Sequence, residues 1–122
     1  MKKLKFKNAI FENGFIQALE RLAGEPISPA QGFILAKFIK QVNEKATMYN
    51  DQKNKLIKTY GKEDPKKEGS YTFTKENAPK VEKDFLELQN MEEEYEMEPI
   101  KLRDDVKINT KDLIMLEDIL VE

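Results

Sequence analysis

The sequence predicts an α+β fold, mostly α, arranged around one long central helix over about residues 29–60, and three observations lead to it. Leu35, Ile39, Val42, Ala46, Tyr49, Lys53, Leu56 and Tyr60 alternate spacings of four and three, which holds one helix face in line as in a coiled coil. Apolar residues also recur at helical intervals over about 9–23, 77–95 and 111–120, which predicts two helices packed antiparallel on the central one and a short C-terminal helix. The stretches 2–7, 71–73 and 100–108 have the alternation or composition of strands and predict a small sheet.

Taken in order, Lys2 to Lys7 alternates lysine with Leu4 and Phe6, the period of a half-buried strand whose lysines discourage edge-to-edge pairing. A basic arm for nucleic acid is the other reading. Asn8 can cap a helix whose apolar side is Phe11, Phe15, Ala18 and Leu22, and Gly14 inside it suggests close approach by another element. Gly24 to Ile27 turns the chain into Ser28-Pro29-Ala30-Gln31. There Ser28 can accept from the Gln31 N–H while the Gln31 side chain reaches back, and Pro29 sits where its missing N–H costs nothing. Gly61 closes the long helix in the left-handed conformation that satisfies its last carbonyls. Phe33, Ile34, Leu35, Ala36, Phe38 and Ile39 predict burial on most sides for the first half of the helix. From Thr47 to Lys58 only one stripe remains, with a basic back.

Residues 62–70 have Pro and Gly as breakers and no apolar anchor, and predict an exposed charged loop. Tyr71-Thr72-Phe73 suits the return arm of a hairpin or aromatic packing on the long helix. Thr74 or Asn77 can cap the third helix, which carries Val81, Phe85, Leu88 and Tyr95 towards Val42, Tyr49 and Leu56. Its tail is the most acidic window in the chain, with Glu87, Glu92, Glu93, Glu94, Glu96 and Glu98. Pro99 ends it. Ile100, Leu102, Val106 and Ile108 then read as short strands able to pair with Lys2 to Lys7, around the interruption Arg103-Asp104-Asp105. Thr110 caps the last helix, with Asp112 near its positive end.

A chain of 122 residues with 36% charged side chains suits a single domain over 1–122 with an economical core. Cys and His are both absent, which removes thiol chemistry, disulfides, the common general base near neutral pH and the commonest metal ligand. Ser28 and Ser70 therefore have no histidine to activate them, and the isolated glycines form no phosphate loop. No catalytic residue, cofactor, metal or small-molecule substrate is expected. With two arginines only, and aromatics at core spacing, direct nucleic-acid binding is not expected either. The longest purely apolar runs, 33–36 and 113–116, are far short of a membrane span or signal-peptide core, so the expected location is inside a cell.

Charge is unevenly spread. Residues 1–61 hold eleven Lys plus Arg against five Asp plus Glu, whereas 62–122 hold ten against eighteen, a balance of +6 and then −8. The halves either pair with each other or present one sign to a partner. For the acidic window the plain reading is a solvated helix end facing the lysines of the long helix. A hard-cation site lacks the tight loop it needs. An acidic surface that stands in for phosphates in a nucleic-acid groove remains as an alternative.

Several stretches resemble small proteins of unknown function encoded by phages and prophages of Gram-positive bacteria: Leu4-Lys5-Phe6-Lys7-Asn8-Ala9, Ala18-Leu19-Glu20-Arg21-Leu22, Leu56-Ile57-Lys58-Thr59-Tyr60-Gly61 with Gly69-Ser70-Tyr71, Phe85-Leu86-Glu87-Leu88, and Asp112-Leu113-Ile114-Met115-Leu116. The resemblance implies a viral or prophage context and no activity. The expected function is non-catalytic protein–protein interaction of that type, in the host cytoplasm or on the virion, with self-association through the long helix as one route. The candidate contact residues are Tyr49, Lys53, Leu56 and Tyr60 on one element and Glu92, Glu93, Glu94 and Tyr95 on another. The alternative is an acidic, nucleic-acid-mimicking inhibitor of a host nuclease or DNA-binding enzyme.

Overall fold

A computed structural model describes residues 2–103 and 106–121. The chain is α+β and mostly α, and its central element is one unbroken helix, α2, over Pro29–Tyr60. At about 1.5 Å per residue its 32 residues run roughly 48 Å. Ser28 accepts from the Gln31 N–H at 3.3 Å as expected. The Gln31 side chain does not reach back; it accepts from the Lys101 N–H at 2.9 Å and ties a later strand to the start of the helix.

Before α2 come β1, Lys2–Lys7, a 3-10 turn over Asn8–Glu12, and α1, Phe15–Ala23. The predicted helix over 9–23 is thus two pieces. Gly14 has φ 84°, a left-handed conformation that breaks the helix, while the nearest atoms to a Cβ there are 3.8 Å away. Backbone freedom, not close approach, explains this glycine.

Gly61 reverses that logic. Its φ is −92° and ψ 158°, so it is extended and not left-handed, and its N–H donates to the Ile57 carbonyl at 2.7 Å. A Cβ would stand 2.5 Å from that carbonyl oxygen and 3.0 Å from Phe73 Cε1. Close approach explains this one. The chain then forms a small hairpin from β2, Lys62–Glu63, and β3, Tyr71–Thr72, so the predicted loop over 62–70 begins with two strand residues and ends at the expected return arm.

Helix α3 covers Ala78–Asn90, and Thr74 rather than Asn77 caps it, accepting from the Asn77 N–H at 3.1 Å. Asn77 instead donates through Nδ2 to the Tyr60 carbonyl at 3.2 Å, closing the end of α2. Going along α2, Tyr60 meets Asn77, the Tyr49 ring lies 6.5 Å from Phe85, and Lys45 reaches Glu93, so α2 and α3 run antiparallel.

The helix predicted to 95 ends at Asn90, because residues 92–97 form a strand, β4, antiparallel to β1. Lys3, Lys5 and Lys7 pair in register with Glu96, Glu94 and Glu92, while Leu4 pairs with Tyr95. Opposite charges line the outer face, and apolar groups with Glu93 line the inner one, and this pairing outweighs the helix propensity of glutamate. The expected partner of β1, the stretch 100–108, contributes only β5, Ile100–Lys101, which runs parallel to β6, Leu120–Val121. Val106 and Ile108 are half-buried without strand structure, and Asp104 and Asp105 lie outside the described residues. Among the described residues, three separate two-stranded sheets therefore replace the one expected.

The last helix, α4, covers Thr110–Leu116, and Asn109 caps it, accepting from the Asp112 N–H at 2.8 Å. Asp112 is buried yet paired: Arg21 of α1 donates to its two oxygens, each at 2.6 Å. The guanidinium holds the Asp112 carboxyl below its ordinary range.

The core sits where α1, α4, β1, β4 and the first half of α2 meet. Leu19, Phe38, Val42, Ile100 and Ile119 are fully inaccessible. Four rings pack through it: Phe6 on Phe15 at 5.3 Å, Phe15 on Phe38 at 6.3 Å, and Tyr95 on Phe6 and Phe38, each at 5.7 Å. The first half of α2 is not buried all round, however. Phe33 is 64% exposed, with the Lys37 ammonium 4.7 Å from its ring centre.

Candidate protein interface

The α2 stripe divides at Tyr49. Leu35, Val42, Ala46 and Tyr49 are buried against this chain's own core, so the predicted coiled-coil seam is consumed within the molecule up to that point. Tyr49 is 2% exposed. Its ring lies 5.4 Å from Phe11, and its hydroxyl donates to Glu12 Oε1 at 3.0 Å. Burial first, then the Glu12 charge, pushes its ionisation up to about 12. Lys53 donates to the same oxygen at 2.8 Å and also lies 5.3 Å from the Phe85 ring centre. That ammonium holds Glu12 below the usual carboxylate range.

The acidic window is engaged likewise. Glu92 and Glu94 stand opposite Lys7 and Lys5, with the Lys5–Glu94 pair at 3.8 Å and both side chains exposed. Glu93 points the other way and pairs with Lys45 at 3.2 Å. Tyr95, 1% exposed, is part of the core. Burial, reinforced by Glu93, pushes its hydroxyl up to about 12. Burial thus withdraws Tyr49 and Tyr95 from any contact surface, and the six other candidates do not form one patch. The acids largely face β1, not the lysines of the long helix, Lys45 excepted.

The free edge of β4 is closed by a side chain. Gln41 of α2 donates to the Glu96 carbonyl at 2.7 Å and accepts from its N–H at 3.1 Å, as a neighbouring strand would.

What remains open lies between the far half of α2 and α3. Leu56 and Tyr60, two of the predicted contact residues, line a groove of about 310 Å³ with Gln52, Lys55 and Thr59 on the α2 wall. Asp84, Glu87, Leu88 and Met91 form the α3 wall. Both sets follow helical spacing, so each wall is one regular helix face. A second depression of about 130 Å³ shares Gln52, Leu88 and Met91 and continues the groove to Met48 and the base of β4. Met48 is 66% exposed and Met91 51%, and α3 buries no residue fully. Asn8 anchors this end, donating through Nδ2 to the Leu88 carbonyl at 3.0 Å and through its N–H to the Met91 carbonyl at 2.9 Å.

Among the described residues, Lys55, Asp84 and Glu87 make no ion pair. The groove carries one lysine on its α2 wall, two acids on its α3 wall and an apolar floor containing methionine, a flexible side chain that adapts to a partner. Sequence reasoning found Leu56 and Tyr60 but missed Met48, Lys55, Asp84 and Met91. Their signal was the helix face beside the stripe, which becomes meaningful only once α3 is known to leave it uncovered. Among the described residues, no three acidic side chains gather into a metal-holding group, and no helix is long and apolar enough to cross a membrane. Compared with known proteins, the chain matches no family model, no curated protein and no solved structure.

Proposed function

We propose that this chain is a non-catalytic protein–protein interaction protein of phage or prophage type, working through the groove between α2 and α3. The observation that carries the reading is an apolar floor left open along two helix faces, with Met48 and Met91 more than half exposed beside unpaired charges. A helix laid in that groove would bury the floor, a common mode of protein recognition. The reading of the acidic window as a phosphate mimic gains no support, because Glu92, Glu94 and Glu96 each have a lysine opposite.

The test is a photo-crosslinking residue placed at position 91 and, as control, at Lys40, which is exposed on the first half of α2. In cells expressing the protein, position 91 gives a discrete crosslink to a polypeptide and position 40 does not. No crosslink, or equal crosslinking from both positions, removes the groove as an interface.

A further inference from the structure

We infer that the partner seated in the groove is a second copy of this chain, related by a two-fold axis parallel to α2 and α3. The inference rests on the groove being a protein interface and adds what fills it. The groove's charges select both the occupant and the axis. One wall carries Lys55 and the other Asp84 and Glu87, none of them paired within the chain.

A two-fold axis along the helices lays α2 of one copy on α3 of the other, keeping every residue at its own height along the bundle. Lys55 of each copy then meets the acids of its partner, twice per dimer. Met48, Leu56, Leu88 and Met91 close over one another in the middle. Because α2 and α3 are already antiparallel, each new neighbour is antiparallel too, which gives a four-helix bundle with short-range packing of a familiar kind. An axis at right angles to the helices and level with Lys55 would lay α2 on α2 and α3 on α3, setting lysine against lysine and acid against acid, and one at another height would leave Lys55 without the acids opposite it. Any other partner would have to bring an acid for Lys55 and a base for Asp84 and Glu87; this chain already carries both at matching heights.

Sedimentation equilibrium tests the inference on the full chain. The wild type shows a reversible monomer–dimer equilibrium. Lys55→Glu weakens it roughly tenfold or more, since two-fold symmetry breaks the contact twice. The pair Asp84→Lys with Glu87→Lys does the same, and mixing the two variants restores dimer as a heterodimer. Circular dichroism checks that each variant keeps its fold, which exposed Lys55 and Glu87 permit.

A wild type that stays monomeric to its solubility limit overturns the inference, as does a Lys55→Glu chain that dimerises as tightly as the wild type. A foreign polypeptide crosslinked from position 91 to a monomeric wild type overturns the second copy and leaves the interface standing. No crosslink of any kind removes both.

Discussion

Truncating the long helix at two points separates its two roles. Phe38 is fully inaccessible, with the Phe15 ring at 6.3 Å and the Tyr95 ring at 5.7 Å. Phe38→Ala removes the side chain from the middle of the aromatic cluster, where neighbouring rings cannot collapse into the space, and costs about 3–5 kcal/mol. Against a total stability of about 5–15 kcal/mol, that is a large part of what holds the fold. Leu56 is half-buried and borders an open groove, so Leu56→Ala leaves no enclosed cavity and costs about 1 kcal/mol. The assay is urea unfolding followed by far-ultraviolet circular dichroism at low protein concentration, where association does not contribute. The midpoint falls steeply for Phe38→Ala and slightly for Leu56→Ala, with similar slopes. Equal losses would refute the division of α2 into a core-bearing half and an open half.

Three further outcomes follow from the same structure. The Asp112 carboxyl, held below its usual range chiefly by Arg21, contributes stability that is complete above the unfolded value of about 3.9 and is lost as pH falls through the folded value. Asp112→Asn therefore lowers stability at neutral pH and flattens the acid limb of an unfolding-against-pH curve; an unchanged acid limb would count against the pairing. Gly61→Ala forces a Cβ to within 2.5 Å of the Ile57 carbonyl oxygen, costs about 1–3 kcal/mol, and speeds amide exchange in the hairpin over 62–72. Gln41→Ala frees both backbone groups of Glu96 to water, costs about 0.5–1 kcal/mol, and accelerates exchange of the Glu96 amide, read by two-dimensional NMR.

The long helix was legible because its signals are local: Ser28 and Pro29 at one end, and a four-three spacing that survives to Tyr60. The end of α3 was not, because Glu92, Glu93 and Glu94 favour a helix when read alone. Only the lysines of Lys2–Lys7, distant in sequence, make a strand the better arrangement. The caps behaved alike. Thr74, one of the two expected caps of α3, takes that role, whereas Asn109 does what Thr110 was expected to do, and each choice is decided by one local hydrogen bond. At the groove, spacing alone found Leu56 and Tyr60 but could not separate them from Tyr49. The difference is whether the 3-10 turn over 8–12 covers the residue, which is a tertiary fact.

Methionine methyl groups report on the groove most directly. Met48 and Met91 lie along it, whereas Met97 is buried at the end of β4 and Met115 packs on the core from α4. In methyl-labelled protein titrated from dilute to concentrated solution, the Met48 and Met91 resonances shift together along one binding curve while Met97 and Met115 stay fixed. Shifts confined to Met97 and Met115, or no shift at Met48 and Met91 across the dimerisation range, would contradict the groove as the surface through which this protein acts.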